Sequence, residues 1–416
     1  MARSDTLPAR FPLPANLRAL AHRNYRLWFA GALVSNIGTW MQRTAQDWLV
    51  LTILTHYDAR AVGAVMAFQY IPQFLLLPWT GHAADHLDRR RLLLLTQAVM
   101  GVLALGLGGL TISGMVRLWQ VDAFALLFGV AAAFDAPVRQ TFVGDLVGDA
   151  DLANAVALNS TSFNAARMLG PAAAGLCIGA IGTGWAFIVN GVSFLAVLVS
   201  LTRLRSDQLH GHERRPRATG AMLAGFGYVA RRRDLRTITV MLFLIGTFGL
   251  NTSIFISTMA VGVFHADATR FGLLSSAMAI GTFAGAFIAT GRDRPRFATL
   301  TGGAALFGAA CAAAALSPSY WLFACALALV GLAALTVTNC SNTLMQLSSA
   351  PEMRGRVMAI RLAIALGGTP LGAPLVGWVA HDAGPRWSMG VAAAAGLVAA
   401  AIGWRYQNWT ATETDS

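Results

Sequence analysis

Twelve apolar segments, each close to the length of a membrane-crossing helix, recur along this 416-residue chain and constrain its fold more than any other feature. They fall at roughly 25 to 50, 60 to 81, 92 to 113, 118 to 138, 153 to 181, 184 to 202, 237 to 263, 270 to 291, 297 to 316, 320 to 346, 357 to 381 and 386 to 405. A helix needs about 20 residues to cross the hydrocarbon core, so the set uses about 240 and leaves ample chain for connections. In lipid each backbone N–H and C=O must be paired within its own segment, which makes these runs helices. With 56 % hydrophobic and 12 % charged residues, a soluble enzyme is excluded. The expected fold class is an all-α membrane protein of twelve transmembrane helices arranged as two six-helix halves.

Charge fixes an expected orientation. All 31 basic residues are Arg, and the absence of Lys excludes a Schiff-base lysine and the phosphate-cradling loop of an ATP-driven pump. If the N-terminus is inside, 25 Arg fall in inside connections, including Arg89 to Arg91 and nine between Arg203 and Arg236. Only 4 fall outside: Arg60, Arg117, Arg270 and Arg386. Positive residues are retained on the cytoplasmic side, so a multi-pass protein of the inner membrane with both termini cytoplasmic is expected. Because these arginines alternate with spans instead of forming one stripe, nucleic acid is not an expected partner. The first 23 residues lack the apolar run of a cleavable signal, so the first span is expected to stay in place. Cys177, Cys311, Cys325 and Cys340 stand singly in apolar runs, without metal-site or disulfide spacing. No cofactor and no metal are expected.

The longest polar connection separates six spans from six. The expected division is an N-terminal half over residues 1–203, a cytoplasmic loop over 204–236 and a C-terminal half with a short tail over 237–416. Within the loop, Met222, Leu223, Phe226 and Val229 recur at helical spacing before Arg231, as in an amphipathic helix on the inner leaflet or a solvated linker. An offset of 202 residues superposes Thr141 on Thr343, Gly170 on Gly372, Gly175 on Gly377, Gly182 on Gly384 and Trp185 on Trp387. The fifth span thus echoes the eleventh.

After the second span the chain reads Gly81-His82-Ala83-Ala84-Asp85-His86-Leu87-Asp88-Arg89-Arg90-Arg91. This resembles the G-x-x-x-D-(R/K)-x-G-R-(R/K) signature of the major facilitator superfamily, at the place where that family carries it. His86 stands where Arg or Lys is usual, and Asp88 where Gly is usual. The run A-D-x-x-D-R-R-R is similar to the enterobactin-exporter and macrolide-exporter branch of drug:proton antiporters. The six-plus-six parallel repeat is also that superfamily's arrangement. The resemblance implies a gating cluster in which Gly81 lets two helices approach and Asp85 caps the N-terminus of the eleventh span. It further implies that Asp85 is linked to Arg89 and to Asp135, with Arg139 one turn beyond. Arg90 and Arg91 read as ordinary cytoplasmic charge.

The fifth span carries Asn164-Ala-Ala-Arg167-Met-Leu-Gly170-Pro171 and then Gly175, similar to the glycine-proline motif of the family's exporters. Pro171, with Pro370 and Pro374 in the eleventh span, is expected to bend its helix; Gly170 and Gly175 allow backbone-to-backbone packing. Polar residues inside spans are costly unless they face a cavity or a partner. Asn36, Trp40, Arg43 and Asp47 share one face of the first span, and Gln69, Gln73, Asn164, Arg167, Asn251 and Asn339 join them as substrate-cavity candidates or as interhelical glue. Trp28, Trp48, Trp119, Trp185, Trp321, Trp387 and Trp404 near span ends fit an aromatic interface belt.

No Glu falls inside a span and His381 stands only at the end of one, so Asp47 and Asp135 are the principal candidate proton carriers, Asp47 with Arg43 foremost. A motion that changes its burial or its distance from Arg43 would bind and release a proton in alternation. The competing possibility is a permanent Arg43–Asp47 ion pair. The expected function is a secondary active transporter, proton-coupled and working as a monomer, that exports a small amphipathic organic compound by alternating access. Uptake or facilitated diffusion through the same fold, and a non-transporting membrane receptor or assembly partner, are the alternatives. A membrane enzyme is disfavoured because no nucleophile–base pair is visible.

Overall fold

The computed structural model describes residues 15–148, 150–210, 221–290 and 295–414. Among these residues the helices join into twelve long rods. α1 is Arg23–Trp48 extended by a π-helical segment, Leu49–Leu54. α2 is Ala59–Leu75 continued, past Leu76, by Leu77–His86. Then follow α3 (Arg89–Ile112), α4 (Leu118–Val147), α5 (Leu152–Ile181) and α6 (Thr183–Thr202). A connecting helix, Ala221–Arg231, leads to α7, which is Arg233–Leu244, a π turn Ile245–Gly249 and Thr252–Gly262. α8 (Ala268–Thr290), α9 (Phe297–Leu316), α10 (Tyr320–Ser348), α11 (Arg354–Asp382) and α12 (Pro385–Thr414) complete the set.

Most rods match the apolar segments closely. α2, α4 and α12 run on to His86, Val147 and Thr414, because their last turns are polar and helix outlasts the hydrocarbon that hydropathy reports. Among the described residues eight helices are individually long and apolar enough to cross a membrane. Large apolar side chains such as Val102, Leu176, Leu316 and Trp321 are more than 60 % exposed, which only a lipid environment explains at this frequency. Side-chain caps start the rods: Asp58 accepts from the Arg60 N–H, Asp88 from the Arg91 N–H, and Ser319 from the Leu322 N–H. Asp88, at the position where the family signature has Gly, therefore serves as an N-cap.

With an even number of rods, α1 begins and α12 ends on one face, called here the terminal face. Within the first half α1 packs on α5 and α6, α2 on α4, and α3 on α4 and α6; within the second, α8 packs on α10, and α9 on α10 and α12. The halves meet mainly where α2 lies against α11 and α5 against α8.

The 202-residue echo is a structural one. Gly182 and Gly384 both hold left-handed backbone, with φ of 99° and 104°, at the α5–α6 and α11–α12 turns. A Cβ on Gly170 would strike Trp40 and the Ile37 carbonyl of α1, while one on Gly372 would strike the Thr247 carbonyl of α7. A Cβ on Gly175 would strike the Ala268 carbonyl of α8, and one on Gly377 the Ala59 carbonyl of α2. Each pair thus makes equivalent contacts, one inside its own half and one across the seam. Pro171, Pro370 and Pro374 lie inside continuous helices, and π-helical backbone occurs in α1 and α7.

Two tryptophans differ from the belt expectation. Trp28 is fully buried, edge-on to Phe142 with the Arg139 guanidinium over its ring, and Trp48 stacks on Phe271. Both point inward because the helix face they occupy looks into the bundle, a fact that position along the span does not carry. Trp119, Trp185, Trp321, Trp387 and Trp404 are exposed.

Candidate functional site

Between the halves a small cavity, about 50 Å³, is lined from α1 by Trp40, Arg43, Thr44 and Asp47, and from α5 by Arg167 and Pro171. α7 contributes Thr252, Ser253 and Ile256, and α8 contributes Phe271, Ser275, Met278 and Ala279. The Arg43 and Arg167 guanidiniums both lie over the Trp40 indole, 4.8 Å and 5.4 Å from its centroid. Arg43 also donates to the Tyr70 hydroxyl at 3.2 Å, while its Nε is buried without a partner. Gly170 makes this cluster possible, since α5 could not otherwise close on α1 at Trp40. Phe163 packs edge-on against the same indole.

Asp47 is buried, and Ser253 of α7 lines the same cavity from across the seam. Among the described residues Arg43 and Asp47 do not form an ion pair, although they lie one turn apart on the same helix. The permanent pair considered from the sequence is therefore absent in this state. Arg43 instead turns towards Trp40 and Tyr70, lying over both rings and donating to the Tyr70 hydroxyl.

The gating residues divide into two clusters. Asp135 is buried and saturated: Thr96 and Gln97 of α3 donate to it at 3.0 and 2.6 Å, and Arg139 donates at 2.9 Å from the next turn. Arg89 pairs with Asp145 at 2.8 Å, a residue the sequence reading did not single out. Asp145 reaches Arg89 because it lies nearly three turns closer than Asp135 to the terminal end of α4, beside the start of α3. The Asp85 side chain lies outside the described residues. A Cβ on Gly81 would meet open space, so close helix approach does not require glycine there in this state.

The remaining candidates are scattered. Gln69 is buried, and Gln73 donates back to the Gln69 carbonyl. Asn164 donates to the Ser160 carbonyl of its own helix. Asn251 is fully buried where α7 is interrupted; it donates to the Thr247 carbonyl and abuts Gly372, so it faces α11 and not the cavity. Asn339 is exposed beside Thr338, and Asn36 is half-buried one turn before Trp40. Ser253 and Ser275 went unnoticed in the sequence, although the polar run Asn251-Thr252-Ser253 in an apolar segment marks the first of them.

On the face opposite the termini a charged cluster crosses the seam. His381 Nδ1 lies 3.2 Å from Asp58 Oδ1, Arg60 Nη2 lies 2.9 Å from His381 Nε2, and Asp382 lies 3.9 Å from Arg60. Burial alone would push the Asp58 carboxyl up. The Arg60 side-chain and backbone bonds, with the His381 and Arg60 charges, outweigh it and hold the carboxyl below the usual carboxylate range. This cluster and the Gly175 and Gly377 contacts all lie towards that face.

Two pseudo-equivalent six-helix halves with a charged cavity at their seam define a transporter of the major facilitator fold, and this is a multi-pass membrane protein that moves small molecules. The chain belongs to the transmembrane secretion effector family (MFS_3), whose profile matches residues 15–416. It is 29 % identical to the staphyloferrin A transporter of Staphylococcus aureus over 184 residues, 42 % of this chain and 44 % of that one. To the multidrug efflux pump Tap of Mycolicibacterium fortuitum it is 26 % identical over 369 residues, covering 85 % and 88 % of the two chains. The fold is also that of a bacterial homolog of the human lysosomal transporter Spinster, inward-facing and unoccupied, with TM-score 0.71, 16 % identity and coverage of 92 % and 96 %. A POT family transporter in complex with 5-aminolevulinic acid superposes with TM-score 0.76 at 10 % identity, covering 94 % and 96 %.

Proposed function

We propose that this transporter is a proton-coupled exporter of small amphipathic organic molecules, acting as a monomer in the inner membrane with its terminal face in the cytoplasm. The observation that carries the proposal is Asp47: a buried carboxyl at the seam, free of any ion pair among the described residues and lining one cavity with Ser253 of the opposite half. Parting the halves would draw the α7 wall of the cavity away from it and admit water, so its proton affinity would change with the side to which the cavity opens. Asp135, held by three donors, lacks that freedom. Export agrees with the efflux pump among the relatives, and orientation with the arginine distribution. The long polar connection at 204–236 is the division between the halves.

Proteoliposomes test this directly. Asp47→Asn is expected to abolish substrate accumulation driven by a pH gradient while retaining substrate exchange without one. Accumulation in response to the gradient at the wild-type level would remove Asp47 from coupling. Absence of any flux in the wild-type protein would favour a receptor or assembly role.

A further inference from the structure

We propose that the cavity between the halves selects an anionic organic substrate, whose acidic head group sits between the Arg43 and Arg167 guanidiniums. The inference deepens the export reading and rests on it only for the word substrate. Two guanidiniums share one indole, and neither has a carboxylate at ion-pair distance among the described residues. Arg167 makes no hydrogen bond to any described residue, and Arg43 makes one, to Tyr70, with its Nε unpaired. Among the described residues one carboxylate, Asp47, lines the same cavity. Charges of one sign gathered between membrane helices are costly unless a counter-charge joins them. Asp47 balances at most one of the two guanidiniums, so the cavity is left with an excess positive charge that an anionic ligand would meet.

Size and shape narrow the class. About 50 Å³ holds a carboxylate or a sulfonate but not a whole organic molecule. On the far side α5 and α8 are in backbone contact at Gly175, so the body of the ligand extends towards the terminal face, along Trp40 and the half-exposed Phe163. Two guanidiniums present forked N–H donors to a planar acid, and the aromatic edges next to them suit a flat apolar body. An organic cation would meet two like charges at the same place.

Two dyes that share a xanthene ring but differ in charge provide the test: fluorescein, an anion at neutral pH, and rhodamine 123, a cation. Binding to the purified protein in nanodiscs is read by fluorescence anisotropy. Fluorescein is expected to bind about tenfold more tightly or better, with an affinity that falls as salt rises. Arg167→Gln is expected to lose about tenfold of that affinity, and Arg167→Lys, which keeps the charge but not the fork, to recover part of it. Equal or tighter binding of rhodamine 123 to the unaltered protein overturns the proposal, whatever the variants do. Fluorescein binding that is unchanged in a correctly folded Arg43→Gln, Arg167→Gln double variant overturns it as well. Fluorescein bound but never transported would sink export and leave the anion site standing. Transport of rhodamine 123 alone would do the reverse.

Discussion

His381, in the last turn of α11, and Asp58, the N-cap of α2, are joined across the seam at 3.2 Å, with Arg60 bonded to both. The contact ties the halves together on the face opposite the termini and must break when that face opens. Exposed ion pairs contribute about 0.2 to 1 kcal/mol, which shifts a two-state population by up to about fivefold. Asp58→Asn is therefore expected to raise the population open on that face by about that factor. Hydrogen exchange at the start of α2 and the end of α11 measures it. Unchanged protection would make the cluster ornamental.

The same cluster has a defined pH sign. The Asp58 carboxyl sits below its ordinary value, so its ionised form favours closure. That contribution is fully present above the ordinary carboxylate value of about 3.9 and fades as pH falls through the lowered one. Closure of this face, followed by the accessibility of a cysteine at Tyr57, is expected to keep the Asp58 contribution from neutral pH to mild acid. Loss of the wild-type-to-Asp58→Asn difference already in that range would contradict it.

Glycines at equivalent positions are expected to behave differently. Gly175 and Gly377 touch the other half, so Gly175→Val adds a clash that parting the halves relieves. The variant is expected to fold and to favour opening on the far face. Gly170 and Gly372 touch their own half, where no motion relieves the clash, and Gly372→Val is expected to lower stability by about 1 to 3 kcal/mol. Thermal unfolding separates the two outcomes.

The two buried aspartates are likewise distinguishable by stability. Asp135→Asn leaves the half-buried Arg139 without its carboxylate and is expected to cost about 3 to 5 kcal/mol. Asp47→Asn removes a buried carboxyl that has no ion-pair partner among the described residues and is expected to cost much less. A large destabilisation by Asp47→Asn would mark a structural role.

Orientation is checked by an impermeant thiol reagent on intact cells, in a background with the native cysteines replaced. Cysteines at Tyr57 and His265 are expected to label, and one at Ser206 is not. Labelling at Ser206 would invert the arrangement.

Apolar runs and arginine counts are local signals, and they made the twelve helices legible with ends mostly within a turn. The glycine echo was legible too, because duplication leaves its mark at a fixed offset. What a single sequence does not carry is the meeting of distant residues. Arg60 and His381 are 321 positions apart, and the Arg89–Asp145 pair spans 56. Facing is the second blind point: Asn251 and Trp40 are both substrate-cavity candidates in the sequence, yet helix rotation turns one to α11 and the other to the cavity. Trp28 shows the same effect, since depth along a span says nothing about which side of the helix meets lipid.

The matched contacts of Gly175 with α8 and Gly377 with α2 bear on ancestry. Exchanging the halves turns one contact into the other, so the seam is self-complementary in the manner of an isologous dimer. A six-helix chain bearing one such glycine would meet a second copy of itself through the same surface, twice over, about a twofold axis. The fused protein keeps that geometry while freeing each copy to diverge, and Arg43, Asp47 and Arg167, all from the first half, have made the chemistry of an otherwise symmetric seam one-sided.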